Sequence, residues 1–274
     1  MLSRRSFVGV AGGSALACRG GQVAAEPVRE ASEGSAEPPV AAESIVRQVG
    51  RTGEWLPAIG MGTWETFDVG AGPNERAPLR EVLRVFSAGG GRVIDSSPMY
   101  GAAEQVTGDL VAETGVPTFL ATKVWTRGRA AGEAQMLASM RLLRTTTIDL
   151  MQVHNLLDFD THITTLRRWR DEGKIRYIGA THYQLSAFDA LERVIREEQL
   201  DFVQLPYSIG VREAEKRLLP AAADHGVAVL VMRPFEGGEI FKRVRGKALP
   251  EWAGELGCTS WAQIFLKFIL GHPA

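Results

Sequence analysis

Short apolar runs recur along this sequence, and several of them end in a polar residue. These polar residues therefore share one position, the carboxyl end of an apolar run. The members are Asp95, Lys123, His154, Thr181 with His182, Gln204 and Arg233. If the runs are parallel strands of a (β/α) barrel, their carboxyl ends open onto one face, where barrel enzymes build their active sites. One such residue could be a strand end in contact with solvent, but the repetition predicts a functional site.

Tyr100 lies in the loop after Asp95 and could deliver a proton to a substrate. Hydride transfer to a ketone or aldehyde leaves an alkoxide, and a proton must reach that oxygen. The pKa of a free tyrosine is about 10, and the ammonium of Lys123 would lower it by favouring the phenolate. Asp95 would keep the lysine charged, because a buried charge needs a partner. A neutral His154 could orient the carbonyl or help to donate the proton.

The elements that must position these residues follow a regular alternation of apolar runs and amphipathic patterns, which predicts a parallel α/β fold. The runs are continuously apolar, as in strands that are covered on both faces. No GxGxxG segment follows an early strand, which counts against a Rossmann domain. The expected strands are Ile59–Trp64, Arg92–Asp95, Thr118–Lys123, Ile148–His154, Ile175–His182, Phe202–Leu205 and Val227–Arg233. The expected helices include Pro78–Ala88, Glu133–Leu143, Ile163–Glu172, Ser186–Glu198, Glu213–His225 and Ser260–Leu270.

Two features frame this alternation. Ile45–Val49 and Trp55–Ile59 flank a glycine-containing turn, which predicts a β-hairpin before the first barrel strand. After the strand that ends at Arg233, the sequence shows an apolar helix and no further strand pattern. An unpaired gap would remain between the first and seventh strands. We therefore predict that residues 45–274 form a barrel that is incomplete at its carboxyl end.

Five segments of the chain resemble the aldo/keto reductase family, in family order. They are Ile59–Trp64, Val93–Gly101, Leu120–Lys123, Ile148–His154 and Gly173–Gly179. The resemblance implies a (β/α)8 TIM-type barrel closed at its base by the N-terminal β-hairpin, here with the eighth strand missing. It implies an oxidoreductase that uses NADPH or NADH to interconvert a small-molecule carbonyl and its alcohol. The family's proton-donor tetrad maps onto Asp95, Tyr100, Lys123 and His154.

The resemblance carries over less completely to the nicotinamide contacts. The family usually has Ser-Asn after the fifth strand, whereas here Thr181 keeps a hydroxyl and His182 replaces the amide. Gln204 matches the family's carboxamide-binding glutamine. The tyrosine that commonly stacks on the nicotinamide is absent, and Met232 offers an apolar, polarizable face in that stretch. Arg233 could contact a phosphate through its guanidinium fork or form a strand-end salt bridge.

Trp64 ends the first expected strand, and it could line the substrate entrance or pack in the core. Two other functions could use a barrel of this kind. A metal-dependent barrel hydrolase would normally need a His-x-His on the first strand and an aspartate on the eighth, and the sequence has neither, so we expect no metal site. A non-catalytic cofactor-binding barrel is the alternative, but a binding protein has no need of the four-residue proton relay. Without an eighth strand, we expect the chain to bind NADPH weakly or not at all.

Composition limits the remaining functions. The 274 residues suit one large barrel domain, and 45% hydrophobic with 23% charged residues is typical of a globular protein. A net charge of −1 gives no argument for nucleic acid or an anionic membrane surface. No apolar run reaches the roughly 18 residues of a membrane span. We expect a monomer.

The N-terminal segment has the features of an export signal. Arg4-Arg5 precede Phe7 and a Gly/Ala-rich run, which predicts a twin-arginine signal peptide over residues 1–25 and export to the periplasm, although an ordinary basic tail would also contain such arginines. Residues 26–44 are acidic and proline-containing with no aromatic residue, which predicts a disordered linker. Ala15 stands where a lipoprotein signal usually has leucine, so we do not expect lipid anchoring at Cys18.

Overall fold

The computed structural model describes residues 45–273. The expected signal peptide over residues 1–25, the linker over residues 26–44 and Cys18 lie outside this range, so export by the twin-arginine route stays a prediction. Within the described range, no helix is both long and apolar enough to cross a membrane.

The predicted hairpin is formed by β1 (Val46–Gln48) and β2 (Trp55–Pro57), which pair antiparallel with Val46 opposite Pro57. A tight turn joins them, and Gly53 adopts a φ of +74° there, a backbone conformation that costs glycine little. Val49 and Leu56 are buried against the amino-terminal halves of the strands that follow. The hairpin therefore covers the base of the fold, away from the strand ends that carry polar residues.

Seven parallel strands form one curled sheet in which each strand lies beside the next along the chain. They are β3 (Met61–Gly62), β4 (Val93–Asp95), β5 (Phe119–Val124), β6 (Ile148–His154), β7 (Ile175–Thr181), β8 (Phe202–Pro206) and β9 (Ala228–Met232). The last six match the predicted strands to within a residue at each end. The first is shorter than predicted, because β3 has a single strand neighbour among the described residues.

Helices follow the strands around the outside of this sheet. They are α1 (Pro73–Ala88), α2 (Ala103–Thr114), α3 (Arg129–Leu142), α4 (Phe159–Asp171), α5 (Phe188–Glu197), α6 (Leu218–Asp224), α7 (Glu239–Val244) and α8 (Trp261–Leu270). The helix predicted over Glu213–His225 was wrong in its first turn. A short 3₁₀ segment, Glu213–Lys216, comes first, and Arg217 breaks the helix with a φ of −142° before α6 begins.

One hydrogen bond across the interior shows how strongly the sheet curls. Gln204 on β8 donates from Nε2 to Oδ2 of Asp95 on β4 at 3.0 Å, although three strands separate β4 from β8 in the sheet. The strands therefore surround a common interior, as in a TIM-type barrel. In the described part of the chain, β3 and β9 are the two edges of the sheet. A cavity of about 900 Å³ is lined by both edges and reaches the carboxyl ends of the strands.

Candidate active site

The four residues predicted to relay a proton come together at the carboxyl ends of β4, β5 and β6. Lys123 is fully buried, and its ammonium donates to Oδ2 of Asp95 and to the backbone carbonyl of Ser96, both at 2.6 Å. Its Nζ lies 5.1 Å from the centroid of the Tyr100 ring. That ring is nearly perpendicular to the imidazole of His154, with centroids 6.2 Å apart. Asp95, Tyr100 and His154 line the cavity.

Strand register explains why these side chains meet. Lys123 on β5 is paired with Gln152 on β6, and His154 on β6 is paired with Thr181 on β7. Side chains alternate along a strand, so Gln152 and His154 point to the same side of β6. A barrel of this kind therefore presents polar groups of neighbouring strands to one interior at nearly the same height.

Asp95 is the hydrogen-bonding centre of the site. Its Oδ2 accepts from Lys123 and Gln204, and its Oδ1 accepts from Nε2 of Gln152 at 2.9 Å. Three donors on three different strands therefore hold one carboxylate, and the charge of Lys123 is compensated within the interior. Gln152 was not predicted as a site residue, although its position two residues before His154 was a signal that it shares the inward face.

Burial raises the pKa of Tyr100, and the ammonium of Lys123 acts in the opposite direction. The carboxylate of Asp95 also raises this pKa, so it offsets part of the effect of the lysine. The predicted net fall in the pKa of Tyr100 is therefore wrong, because loss of water around the ring outweighs the nearby charge. The predicted influence of Lys123 is present, but it limits the rise and does not reverse it.

His154 is neutral, as predicted. Burial lowers its pKa to about 3, with further lowering by the charge of Lys123 and by His182. Its Nδ1 lies 3.2 Å from Oγ of Ser97, a fully buried serine two residues after Asp95. That Oγ accepts from the backbone N–H of Met99 at 3.5 Å and has one hydrogen of its own to donate. If Ser97 donates this hydrogen to Nδ1, the second ring nitrogen, Nε2, carries the N–H of the neutral ring.

The residues predicted to hold a nicotinamide separate into two groups. Gln204 and Met232 line the cavity, whereas Thr181 is fully buried and donates to Oε1 of Gln204 at 3.1 Å. His182 is also outside the cavity lining; its Nδ1 accepts from the backbone N–H of Gln184, and its ring stacks on Tyr183. The structure therefore places Thr181 behind Gln204, outside the lining of the cavity.

The amide groups of this region fit a carboxamide ligand. An amide nitrogen carries two N–H groups and an amide oxygen two lone pairs, so Gln204 keeps one of each after bonding to Asp95 and Thr181. Asn155 lines the same cavity, and its buried Oδ1 has no hydrogen-bond partner among the described residues. A buried acceptor without a partner is costly unless a ligand supplies an N–H. Sequence reasoning missed Asn155, whose only signal is that it follows His154.

The mouth of the cavity is formed by two aromatic rings and one cation. Trp64 is 50% exposed and lines the cavity, so it does not pack in the core. The guanidinium of Arg233 lies 6.0 Å from the Trp64 ring centroid and 5.1 Å from that of Tyr183. The strand-end salt bridge considered for Arg233 does not form with any carboxylate in residues 45–273.

The sequence profile of the aldo/keto reductase family matches residues 58–274, a segment that contains all seven parallel strands and the four clustered residues. This chain belongs to the aldo/keto reductase family. The resemblance seen in the five sequence segments is confirmed.

Two relatives and one solved structure show how far the family similarity extends. The chain is 30% identical over 197 residues to the aldo-keto reductase YhdN of Bacillus subtilis, a match that covers 66% of this chain but only 59% of that protein. It is 27% identical over 224 residues to the methylglyoxal reductase YeaE of Escherichia coli, covering 79% and 78% of the two chains. A Klebsiella pneumoniae aldo/keto reductase, solved in complex with NADP and acetate, matches with a TM-score of 0.66 and 26% identity over 80% of this chain and 79% of that one.

Within residues 45–273, no three His, Cys, Asp or Glu side chains lie close enough together to hold a metal ion.

Proposed function

We propose that this aldo/keto reductase interconverts an aldehyde or ketone and its alcohol with NADPH or NADH, and that Tyr100 donates the proton to the carbonyl oxygen. The observation that carries the proposal is the Asp95–Lys123 ion pair, which sets an ammonium 5.1 Å from the Tyr100 ring beside a neutral His154. A solved relative that holds NADP and a relative named as a methylglyoxal reductase support the same chemistry.

Gln204, Asn155 and Met232 are the residues that would hold the nicotinamide. Gln204 and Asn155 offer amide groups to its carboxamide, and Met232 offers an apolar contact for the ring face. Thr181 acts through Gln204, because its hydroxyl fixes the orientation of that amide. When bound, the nicotinamide supplies or accepts the hydride.

The chain's own residues supply the proton. The Nε2–H of His154 would donate a hydrogen bond to the carbonyl oxygen and so orient it towards Tyr100. Tyr100 then transfers its phenolic proton to that oxygen as negative charge develops on it. The ammonium of Lys123 stabilises the tyrosinate that remains, and Asp95 keeps the ammonium in place. Burial raises the pKa of Tyr100, so the phenol is in its donating form at neutral pH.

Replacement of the phenolic hydroxyl tests this function. Tyr100→Phe keeps the ring but removes the proton, so we expect kcat for carbonyl reduction to fall by at least about 100-fold, the usual range for loss of a general acid. The Kd for NADPH, measured by quenching of protein fluorescence, should not change. Turnover is measured by the absorbance of NADPH with a panel of aldehydes and ketones.

Tyr177→Phe is the matched control. The hydroxyl of Tyr177 bonds to Glu54 at the base of the barrel, away from the carboxyl ends of the strands where Tyr100 lies. The variant should therefore keep normal turnover per folded molecule. Normal turnover by Tyr100→Phe would show that the proposed proton donor is wrong. An inactive wild-type chain that still binds NADPH would favour the non-catalytic alternative.

A further inference from the structure

Arg233 stands at the cavity mouth in a geometry that suits binding of an anion. Its guanidinium lies over two exposed aromatic rings, 5.1 Å from the centroid of Tyr183 and 6.0 Å from that of Trp64. Contact with an aromatic face orients the planar guanidinium and leaves the N–H groups at its edge free to donate. A cation held in this way loses little further side-chain freedom when a ligand binds.

The guanidinium of Arg233 has no acidic partner. In the part of the chain that the structure describes, no carboxylate lies within salt-bridge distance of it, and no side-chain hydrogen bond is formed. Glu65 lines the same cavity but does not pair with it. By contrast, Arg212 is paired with Glu215 and Arg243 with Glu236.

The backbone also distinguishes Arg233. It follows the last residue of β9 with a φ of +56°, in the left-handed region that non-glycine residues rarely adopt. Conformations of this kind cost free energy and cluster at ligand-binding sites. The turn directs the residue to the cavity that Tyr100 also lines, close enough for the charge of Arg233 to act on the phenol.

We infer that Arg233 binds an anionic group, a carboxylate or phosphate, that the carbonyl substrate itself carries. This inference rests on the proposed function and names its substrate class: acidic aldehydes and ketones. The rings of Trp64 and Tyr183 would flank the part of the substrate between its anionic group and its carbonyl, which Tyr100 and His154 receive. The other source of an oxyanion at this position is a phosphate of the cofactor, and the experiment separates the two.

Two aldehydes that differ by one charge provide the test. 4-Formylbenzoate carries a carboxylate opposite its aldehyde, and methyl 4-formylbenzoate has nearly the same shape without the charge. We expect the wild-type chain to prefer 4-formylbenzoate by about tenfold in kcat/KM, the value of one charge-assisted hydrogen bond. In Arg233→Met this preference should disappear through a higher KM for 4-formylbenzoate, with the KM for NADPH unchanged. Added salt should weaken the wild-type preference.

Arg193→Met on the exposed face of α5 is the matched control, because it removes the same charge away from the cavity. It should keep the wild-type preference. If Arg233→Met raises the KM for NADPH and slows both aldehydes equally, the arginine serves the cofactor phosphate and the inference is overturned. An unchanged preference in Arg233→Met overturns it as well.

A binding measurement separates this inference from the proposed function. Tryptophan fluorescence, with Trp64 beside Arg233, reports binding of both aldehydes without turnover. If neither aldehyde is reduced but 4-formylbenzoate binds and Arg233→Met abolishes that binding, the anion site stands while the proposed reaction fails. If both aldehydes are reduced with no preference and equal affinity, the anion site fails while the reaction stands.

Discussion

The hydrogen bond between Ser97 and His154 bears on which ring nitrogen of the histidine can donate to a substrate in the proposed mechanism. A neutral imidazole has one N–H and one acceptor nitrogen, and the hydrogen bond at one nitrogen decides the role of the other. If Ser97 donates to Nδ1, as the proposed mechanism requires, Nε2 is the N–H donor. If the serine accepted instead, Nε2 would carry a lone pair and would repel a carbonyl oxygen. Ser97 is thus a positioning residue that acts through His154.

Ser97→Ala should therefore weaken carbonyl reduction without loss of cofactor binding. We expect kcat to fall by about tenfold, the effect of one misplaced hydrogen bond, and the KM for NADPH to stay constant. Nitrogen NMR shifts of the His154 ring should show a single Nε2–H tautomer in the wild-type chain and a mixture in the variant. Ser97→Thr, which restores a hydroxyl, should recover both readouts. A variant that slows turnover with an unchanged tautomer would contradict the role given to Ser97.

At the residue scale, the sequence predicted the ionisable residues at the strand ends. It missed the polar residues of the loops that contact them or line the same cavity. Asp95, Lys123 and His154 each end an apolar run, so their positions could be read directly. Ser97 and Asn155 lie in loops, where sequence spacing does not determine which atoms meet. The net direction of the Tyr100 pKa could not be predicted either, because it depends on how far the ring is desolvated.

Among the elements, the strands were predictable and α2 was not. A strand covered on both faces is a continuous apolar run, whereas the buried face of α2 includes Glu104, Thr107 and Gly108. Gly108 is required because an added Cβ would lie 2.1 Å from the carbonyl oxygen of Leu142. The buried apolar residues of α2, Ala103, Val106 and Leu110, are therefore interspersed with buried polar residues and glycine, which weakens the periodicity that predicts a helix. The six residues of α7 are too few to show any periodicity.

Glu104 joins α2 to two other elements and makes their packing sensitive to pH. Its buried carboxyl accepts from Thr122 on β5 at 2.5 Å and from Ser139 on α3 at 3.1 Å. Burial raises the pKa of Glu104, against the lowering effects of both hydrogen bonds and of Lys123. The folded chain thus binds this proton more tightly than the unfolded chain. The contribution of Glu104 to the free energy of unfolding is fully present below its pKa in the unfolded chain, about 4.5. This contribution is lost as pH rises through the pKa of Glu104 in the folded chain.

Glu104→Gln removes this titration while it keeps groups able to bond to Thr122 and Ser139. We expect the variant to gain stability relative to wild type as pH rises above about 4.5. Its free energy of unfolding minus that of wild type should therefore increase with pH. Urea unfolding at a series of pH values measures this difference. Glu113→Gln, in the same helix, should shift in the opposite direction, since Arg80 lowers the pKa of the exposed Glu113. A difference that stays constant with pH for Glu104→Gln would contradict the prediction.

At the scale of the whole molecule, the two edges of the seven-stranded sheet are less protected than its central strands. All five residues of β9 are partly exposed, whereas all six of β5 are buried. A strand with one neighbour leaves backbone groups open to solvent, and local opening there disrupts fewer contacts. The strand pattern predicted that the first and seventh strands would not pair, and in residues 45–273 β3 and β9 each have one strand neighbour. The size of the cavity beside them depends on side-chain packing, which the pattern does not show.

Hydrogen exchange tests this uneven stability. We expect the backbone amides of β9 to exchange at least about tenfold faster than those of β6, which pairs with β5 and β7. Mass spectrometry of peptides from the 274-residue chain measures both strands in one experiment. Equal protection of β9 and β6 would show that the edge is as stable as the centre of the sheet. Slower exchange in β9 on addition of NADPH would show that the cofactor binds beside this edge.

We expect the hydrogen bond from Gln204 to Asp95 to limit how large a substrate this barrel can admit. It spans the interior from β8 to β4, while the edges at β3 and β9 are not joined to each other among the described residues. We therefore expect the opening to widen more easily on the β9 side than between β4 and β8, where a bulky molecule would break bonds to Asp95. Size discrimination should accordingly be strict for the reacting end of a substrate and permissive for its tail.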